Sequence, residues 1–165
     1  MKRAELIGLL PKNKDDVEAA RILVRLGFPA VQSVLRDMLL WLRVDHAPVA
    51  DIFSAFFAEL TPPPIELIAK HLGTRSETLR KRILVEILPA WSPEAVRLLS
   101  SDLKTLATRP DSLNNDVECL RLILKHDLAE KQWVGQWLAF RKEQAANRLR
   151  FFEELERLAR SDIHP

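Results

Sequence analysis

Residues 31–60 read VQSVLRDMLLWLRVDHAPVADIFSAFFAEL. Val31, Val34, Leu35, Met38, Leu39, Trp41 and Leu42 recur at the three- and four-residue steps of one helical face. Val49, Ile52, Phe53, Phe56, Phe57 and Leu60 repeat the pattern. Arg36, Asp37, Arg43, Asp51 and Glu59 fall on the opposite sides. Val44-Asp45-His46-Ala47-Pro48 makes a tight corner between the two runs. Each apolar stripe is too wide for a helix standing alone in water, so each must be buried against a neighbour.

Working outward, the same pattern continues on both sides. Upstream, Ala4 to Leu10 is a short apolar helix stopped by Pro11. Asp15 or Asp16 caps the next, which carries Val17, Ala20, Leu23 and Val24 and ends at Gly27, the usual terminator. Downstream, Thr61-Pro62-Pro63-Pro64 is a stiff break, and Ile65 to Leu72 is a helix closed by Gly73. Thr74 and Glu77 have capping-box spacing ahead of a stripe of Leu79, Ile83, Leu84, Ile87 and Leu88, which Pro89 ends. Ser92-Pro93 is a cap with proline at the first helical position, before Val96, Leu99, Leu103 and Leu106. Leu113, Val117, Leu120 and Leu124 follow the break at Arg109-Pro110-Asp111. Asp127 to Glu130 again has cap spacing, and from there to Arg160 the chain is one long helix or two.

No stretch alternates with a period of two, so the fold class is all-α. Helix pairs recur about every 30–40 residues between proline or glycine corners, the rhythm of antiparallel hairpins stacked as a short HEAT-like α-solenoid. No motif is shared across the pairs, which leaves an irregular helical bundle as the alternative. The expected organisation is a single domain over residues 1–165. Within it, 6–126 form the repeat region and 127–165 a helix or helices that cap the stack or dock a partner.

The chain has 165 residues, 47% of them hydrophobic, enough for a buried core. The 25 basic and 23 acidic residues leave a net charge of only +2, which argues against a strong nucleic-acid binder. Cys119 is the only cysteine, so no internal disulfide or multi-cysteine metal site can form. At the start, MKRAELIGLLPKNK, Glu5 and Pro11 cut the apolar run short, and it is not read as a signal peptide. No apolar stretch is long enough to span a bilayer, and a cytoplasmic location is the expectation.

Residues 10–18, LPKNKDDVE, and Leu40-Trp41-Leu42 followed by Pro48-Val49-Ala50 resemble a family of small bacterial domains of unknown function. The resemblance covers residues 6–125 and implies HEAT-like α-α repeats, with no reaction, cofactor or substrate. The sequence departs from the family pattern at two places. Val44, His46 and Ala47 replace an Asp, an Asn and a Trp, and Leu79-Arg80-Lys81-Arg82 replaces an aromatic-rich run. By analogy, small helical-repeat proteins of this kind include immunity and adaptor proteins.

Four groups of residues are candidates for function. Asp45 and His46 at the central corner are a partner-facing polar spot or an acid/base pair; read structurally, Asp45 caps the helix that begins at Pro48. Lys12, Lys14, Asp15 and Asp16 form a polar loop site, or a solvated loop with a helix cap. Arg75, Arg80, Lys81 and Arg82 are the densest basic cluster and could hold phosphate or an acidic partner. Arg80, Lys81 and Arg82 spread over more than half a helical turn, however, and Arg82 pairs with Glu86 on a solvated face. Trp133 and Trp137, one turn apart, stack along a terminal helix with Phe140, Phe151, Leu155 and Leu158. That helix either covers the open end of the stack or mediates partner binding or homodimerisation. Cys119 reads as a core residue. His71, His126 and His164 are scattered, and no metal motif, nucleophile elbow or phosphate loop is present.

These features point to a non-enzymatic protein–protein interaction module that needs no metal and no cofactor. Its partner is another protein, and its concrete form is an immunity-type protein that blocks a bacterial toxin. The alternative is a nucleic-acid or phosphate-ligand binder acting through the basic helical face. A membrane partner is not expected.

Overall fold

The computed structural model of the chain describes residues 2–161, and His164 lies outside the described residues. Among those residues all regular structure is helical. The helices are α1 (Arg3–Gly8), α2 (Val17–Leu26), α3 (Leu35–Leu40), α4 (Pro48–Glu59), α5 (Ile65–Leu72), α6 (Glu77–Arg82), α7 (Pro93–Arg97), α8 (Ser100–Ala107), α9 (Asn115–Lys125) and α10 (Lys131–Ser161). The chain divides into two compact units between Leu128 and Ala129: α1–α9 form the first and α10 belongs to the second.

In the first unit α4 is the central element. Val49, Phe53 and Phe57 are fully buried on it, while Asp51 and Glu59 face water. It packs on α2, on the tight turn Trp41–Arg43 and on the segment Ile83–Ile87, which in turn packs on α9, and α9 on α8. The run before the corner is helical as the periodicity predicts, but in three pieces. Single 3₁₀ turns at Gln32–Val34 and Trp41–Arg43 flank α3. Its stripe is buried at Val31, Val34, Leu35, Met38, Leu39 and Leu42.

The helix that begins with α6 changes character before Pro89. Across Ile83–Ile87 it widens into a π-turn, in which the Leu88 N–H donates to the Ile83 carbonyl five residues back. The cause is steric and local: proline lacks an N–H, and its ring crowds the carbonyl four residues earlier. The wider turn also brings Ile83, Leu84, Ile87 and Leu88, all buried, closer to one face.

Three local expectations need correction. The cap of α6 is Ser76, whose hydroxyl accepts from the Leu79 N–H at 3.3 Å, whereas Thr74 turns back and donates to the His71 carbonyl at 2.9 Å. The Ser92-Pro93 cap forms as expected, but the run behind it breaks at Leu98–Leu99 into α7 and α8. On α9 the buried face holds Asn115, Asp116, Cys119, Leu120, Leu122 and Ile123, while Val117 and Leu124, and Leu113 just before the helix, are exposed. Burial of Asn115 and Asp116 rotates the helix away from the orientation its apolar residues suggest.

Candidate functional site

The basic run occupies the last turn of α6, where successive residues point about 100° apart. Each cation meets a carboxylate on another element. Arg80 reaches Asp111 at 2.8 Å, with side chains only 13% and 9% exposed, and also donates to the Thr74 carbonyl. Lys81 contacts Glu118 on α9 at 3.0 Å and donates to the Leu113 carbonyl at 3.2 Å. Arg82 contacts Asp51 on α4 at 2.8 Å and Glu86 at 3.2 Å, the latter being the pair expected from spacing. Burial pulls the Arg82 guanidinium down, but Asp51 and Glu86 outweigh it and hold the group above its ordinary pKa.

Asp111 is the centre of this network. Its carboxylate accepts from Arg80 Nη2, from the Asn115 side-chain amide at 2.9 Å, and from the Asn115 and Leu113 backbone amides at 3.0 and 3.2 Å. Asn115 donates in addition to the Glu77 carbonyl at 3.1 Å, and the Ser112 hydroxyl donates to the Glu77 carboxylate. Burial raises the Asp111 pKa, but the Asn115 amide and Arg80 win and hold it below the ordinary value. A carboxylate this fully donated to, and held ionised, has neither proton nor free lone pair for acid–base work.

Beside it lies an open cleft of about 290 Å³, walled in part by Arg75, Glu77, Arg80, Arg109 and Asp111. Arg75 and Arg109 are exposed on its rim. Of the four cations in the basic cluster, Arg80, Lys81 and Arg82 are each paired with a carboxylate, and Arg75 is exposed.

At the central corner Asp45 and His46 are both exposed, and His46 has a left-handed backbone, φ 51°. Asp45 does not cap α4. The N-cap is Ala47, which offers no side-chain acceptor, and Pro48 stands at the first position. The Val49 N–H donates instead to the Lys14 backbone carbonyl at 3.3 Å, so the 11–16 loop satisfies one of the free donors at this helix end. In that loop Asp16 is the cap of α2, accepting from the Ala19 amide at 3.4 Å and the Lys12 amide at 3.1 Å. The Asp15 amide is held by Asn13 Oδ1 at 3.0 Å, and the Lys12 and Lys14 side chains are exposed. The carboxylates that meet the basic run are Asp51, Glu86, Asp111 and Glu118, none of them from the corner or the loop.

Among the described residues no group of three or more His, Cys, Asp or Glu side chains is arranged to hold a metal ion, and no helix is long and apolar enough to cross a membrane. Cys119 is buried; that burial, together with Asp116 and Asp111, pushes its thiol up to about 12. His71 is buried with Nδ1 2.8 Å from the Leu67 carbonyl oxygen. His126 is buried too, and burial, with Lys125 and Arg97 adding repulsion, holds its pKa below the usual value.

The His126 shift has a definite sign. As pH falls through 6.5, the ordinary histidine value, the unfolded chain takes up a proton that the folded chain resists, so folding stability declines. Thermal melts at pH 7.5 and 5.5 should show a drop in Tm for the native sequence that is smaller in His126→Gln. Equal drops in the two would rule His126 out as the cause.

The second unit consists of α10, a single helix through residue 161 rather than two. Trp133 and Trp137 are half-buried, but the stacked rings are Trp137 and Phe140, with centroids 5.0 Å apart. Every residue from Lys142 to Arg160 is exposed. Within that stretch Leu149, Phe151, Phe152, Leu155 and Leu158 are each 43–60% exposed, and the Arg148 guanidinium sits 5.8 Å from the centre of the Phe152 ring. Leu149 and Phe152 were not among the candidates read from the sequence, although they extend the same helical arc. Set against family models, curated proteins and solved structures, the chain matches none.

Proposed function

We propose that this chain is a protein-interaction module, and that the apolar face of α10 is its docking element. The observation that carries this reading is the exposure of Leu149, Phe151, Phe152 and Leu155 within a stretch, Lys142 to Arg160, whose residues are all exposed. Large apolar side chains crowded on one exposed helix mark a surface that another molecule covers. Aromatics with an adjacent arginine, as at Arg148 and Phe152, are the usual anchors of protein interfaces.

The first unit serves in this proposal as the rigid body that carries the helix. Its order of contacts, α2 to α4, α4 to Ile83–Ile87, and that segment to α9, supports a short HEAT-like stack in which each layer touches the next. The resemblance to the HEAT-like bacterial family belongs to the same proposal, as does a cytoplasmic location, which the single buried thiol supports. In its narrower form, an immunity-type protein, the chain binds a bacterial toxin and its co-expression relieves the toxicity.

The test is photo-crosslinking in living cells of the native host. A benzophenone amino acid at position 152 should capture a protein, while the same group at position 146, on the opposite face, should not. Absence of any protein adduct at 152 would remove α10 as a docking element.

A further inference from the structure

We infer that the molecule covering α10 is a second copy of the same helix, paired antiparallel about a two-fold axis at Phe152. This rests on α10 being a docking element and names its occupant. The segment is complementary to its own reverse. Counting outward from Phe152, Leu149 comes level with Leu155 of the other copy, Arg148 with Glu156, and Ala145 with Ala159. Phe152 meets its own counterpart on the axis. The apolar residues so matched span about 21 Å at 1.5 Å per residue, a contact of about four turns.

Charge selects the direction. Arg148 and Glu156 lie one turn before and one turn after Phe152 on its side of the helix, whereas Arg150 and Glu154 point away from it. A parallel, in-register pair sets the carboxylates level with their own copies and the guanidinium groups level with theirs. The antiparallel pair sets Arg148 level with Glu156 on both sides of the axis. Like charges facing across a helix pair disfavour it, and opposite charges fix partner orientation. Within one chain Glu156 lies 3.8 Å from Arg160, but both side chains are more than 70% exposed, and such a contact holds Glu156 only weakly.

The small alanines suit this geometry. Ala145 and Ala159, both exposed, allow the two helices to approach at the ends of the contact, while the phenylalanine pair fills the middle. The chemistry of the pair is that of a short helix–helix seam: leucine, phenylalanine and alanine inside, with two Arg148–Glu156 contacts across it.

Sedimentation equilibrium of the full-length chain tests the inference, with circular dichroism as the control for folding. The native sequence should show a concentration-dependent mass rising to twice that of the chain. Arg148→Glu and Glu156→Arg should each weaken association at least about tenfold, and the double exchange should restore it to within about threefold. Restoration is specific to a register that brings 148 level with 156. A single-chain mass at all concentrations, or a dimer indifferent to both exchanges, would overturn the pairing. A cross-link from position 152 to a different protein would also overturn it while leaving the docking role of α10 standing, whereas no cross-link at all removes both.

Discussion

Asp111→Ala should lower the free energy of unfolding by about 3–5 kcal/mol, the cost of leaving a buried ion unpaired. The substitution removes the carboxylate that faces Arg80 across 2.8 Å and leaves that guanidinium, only 13% exposed, with the Thr74 carbonyl as its remaining acceptor. It also releases the backbone amides of Leu113 and Asn115 at the start of α9, where no other helix residue can receive them. Urea unfolding, with the midpoint and slope both recorded, is the measurement. Adding Arg80→Met to Asp111→Ala should return about 1–3 kcal/mol, because the stranded charge goes with it. A change within about 0.5 kcal/mol for Asp111→Ala would mean that the network contributes nothing.

The second large effect is expected at the centre of the core. Phe53 is fully buried on α4, the helix that packs on both α2 and Ile83–Ile87. Phe53→Ala should cost about 3–5 kcal/mol, combining the lost transfer of the ring from water with the cavity left behind. Phe56, half-buried one turn-step away and edge-on to Phe57 at 5.7 Å, provides the comparison, and Phe56→Ala should cost clearly less. Equal losses at 53 and 56 would contradict the burial pattern. Trp91 is bonded to the same helix. Its indole N–H donates to the Phe57 carbonyl at 3.0 Å and ties the chain beyond Pro89 to the end of α4.

The all-α class and the central pair were legible because apolar spacing is a local signal. Val49, Phe53 and Phe57 sit where their periodicity places them, and the Ser92-Pro93 cap is complete within four residues. The signal fails where polar residues are buried. Asn115 and Asp116 lie inside, so hydropathy points α9 toward Val117 and Leu124, which face water. It fails again between rival caps: Thr74 and Ser76 both precede the helix, and only the backbone's point of entry selects Ser76.

The basic run shows the limit most clearly. Arg82 and Glu86 are four residues apart and their contact could be read directly. Asp51, Asp111 and Glu118 lie 31, 31 and 37 residues from Arg82, Arg80 and Lys81, so no window of sequence associates them. Three adjacent cations that look like a binding face are instead fastened to three different carboxylates. The apolar face of α10 was visible in outline through Phe151, Leu155 and Leu158, but their exposure was not, because a stripe alone does not tell what covers it.

The fastening of Arg80 and Lys81 also bears on how much of the polypeptide must exist before the middle of the first unit can close. Arg82 finds Asp51 behind it, in chain already made, whereas Asp111 and Glu118 are synthesised later. A nascent chain, or a fragment cut before residue 111, therefore holds a guanidinium and an ammonium whose counter-ions do not yet exist. Such a fragment contains α2, α4 and Ile83–Ile87, but it lacks α9, on which Ile83–Ile87 packs.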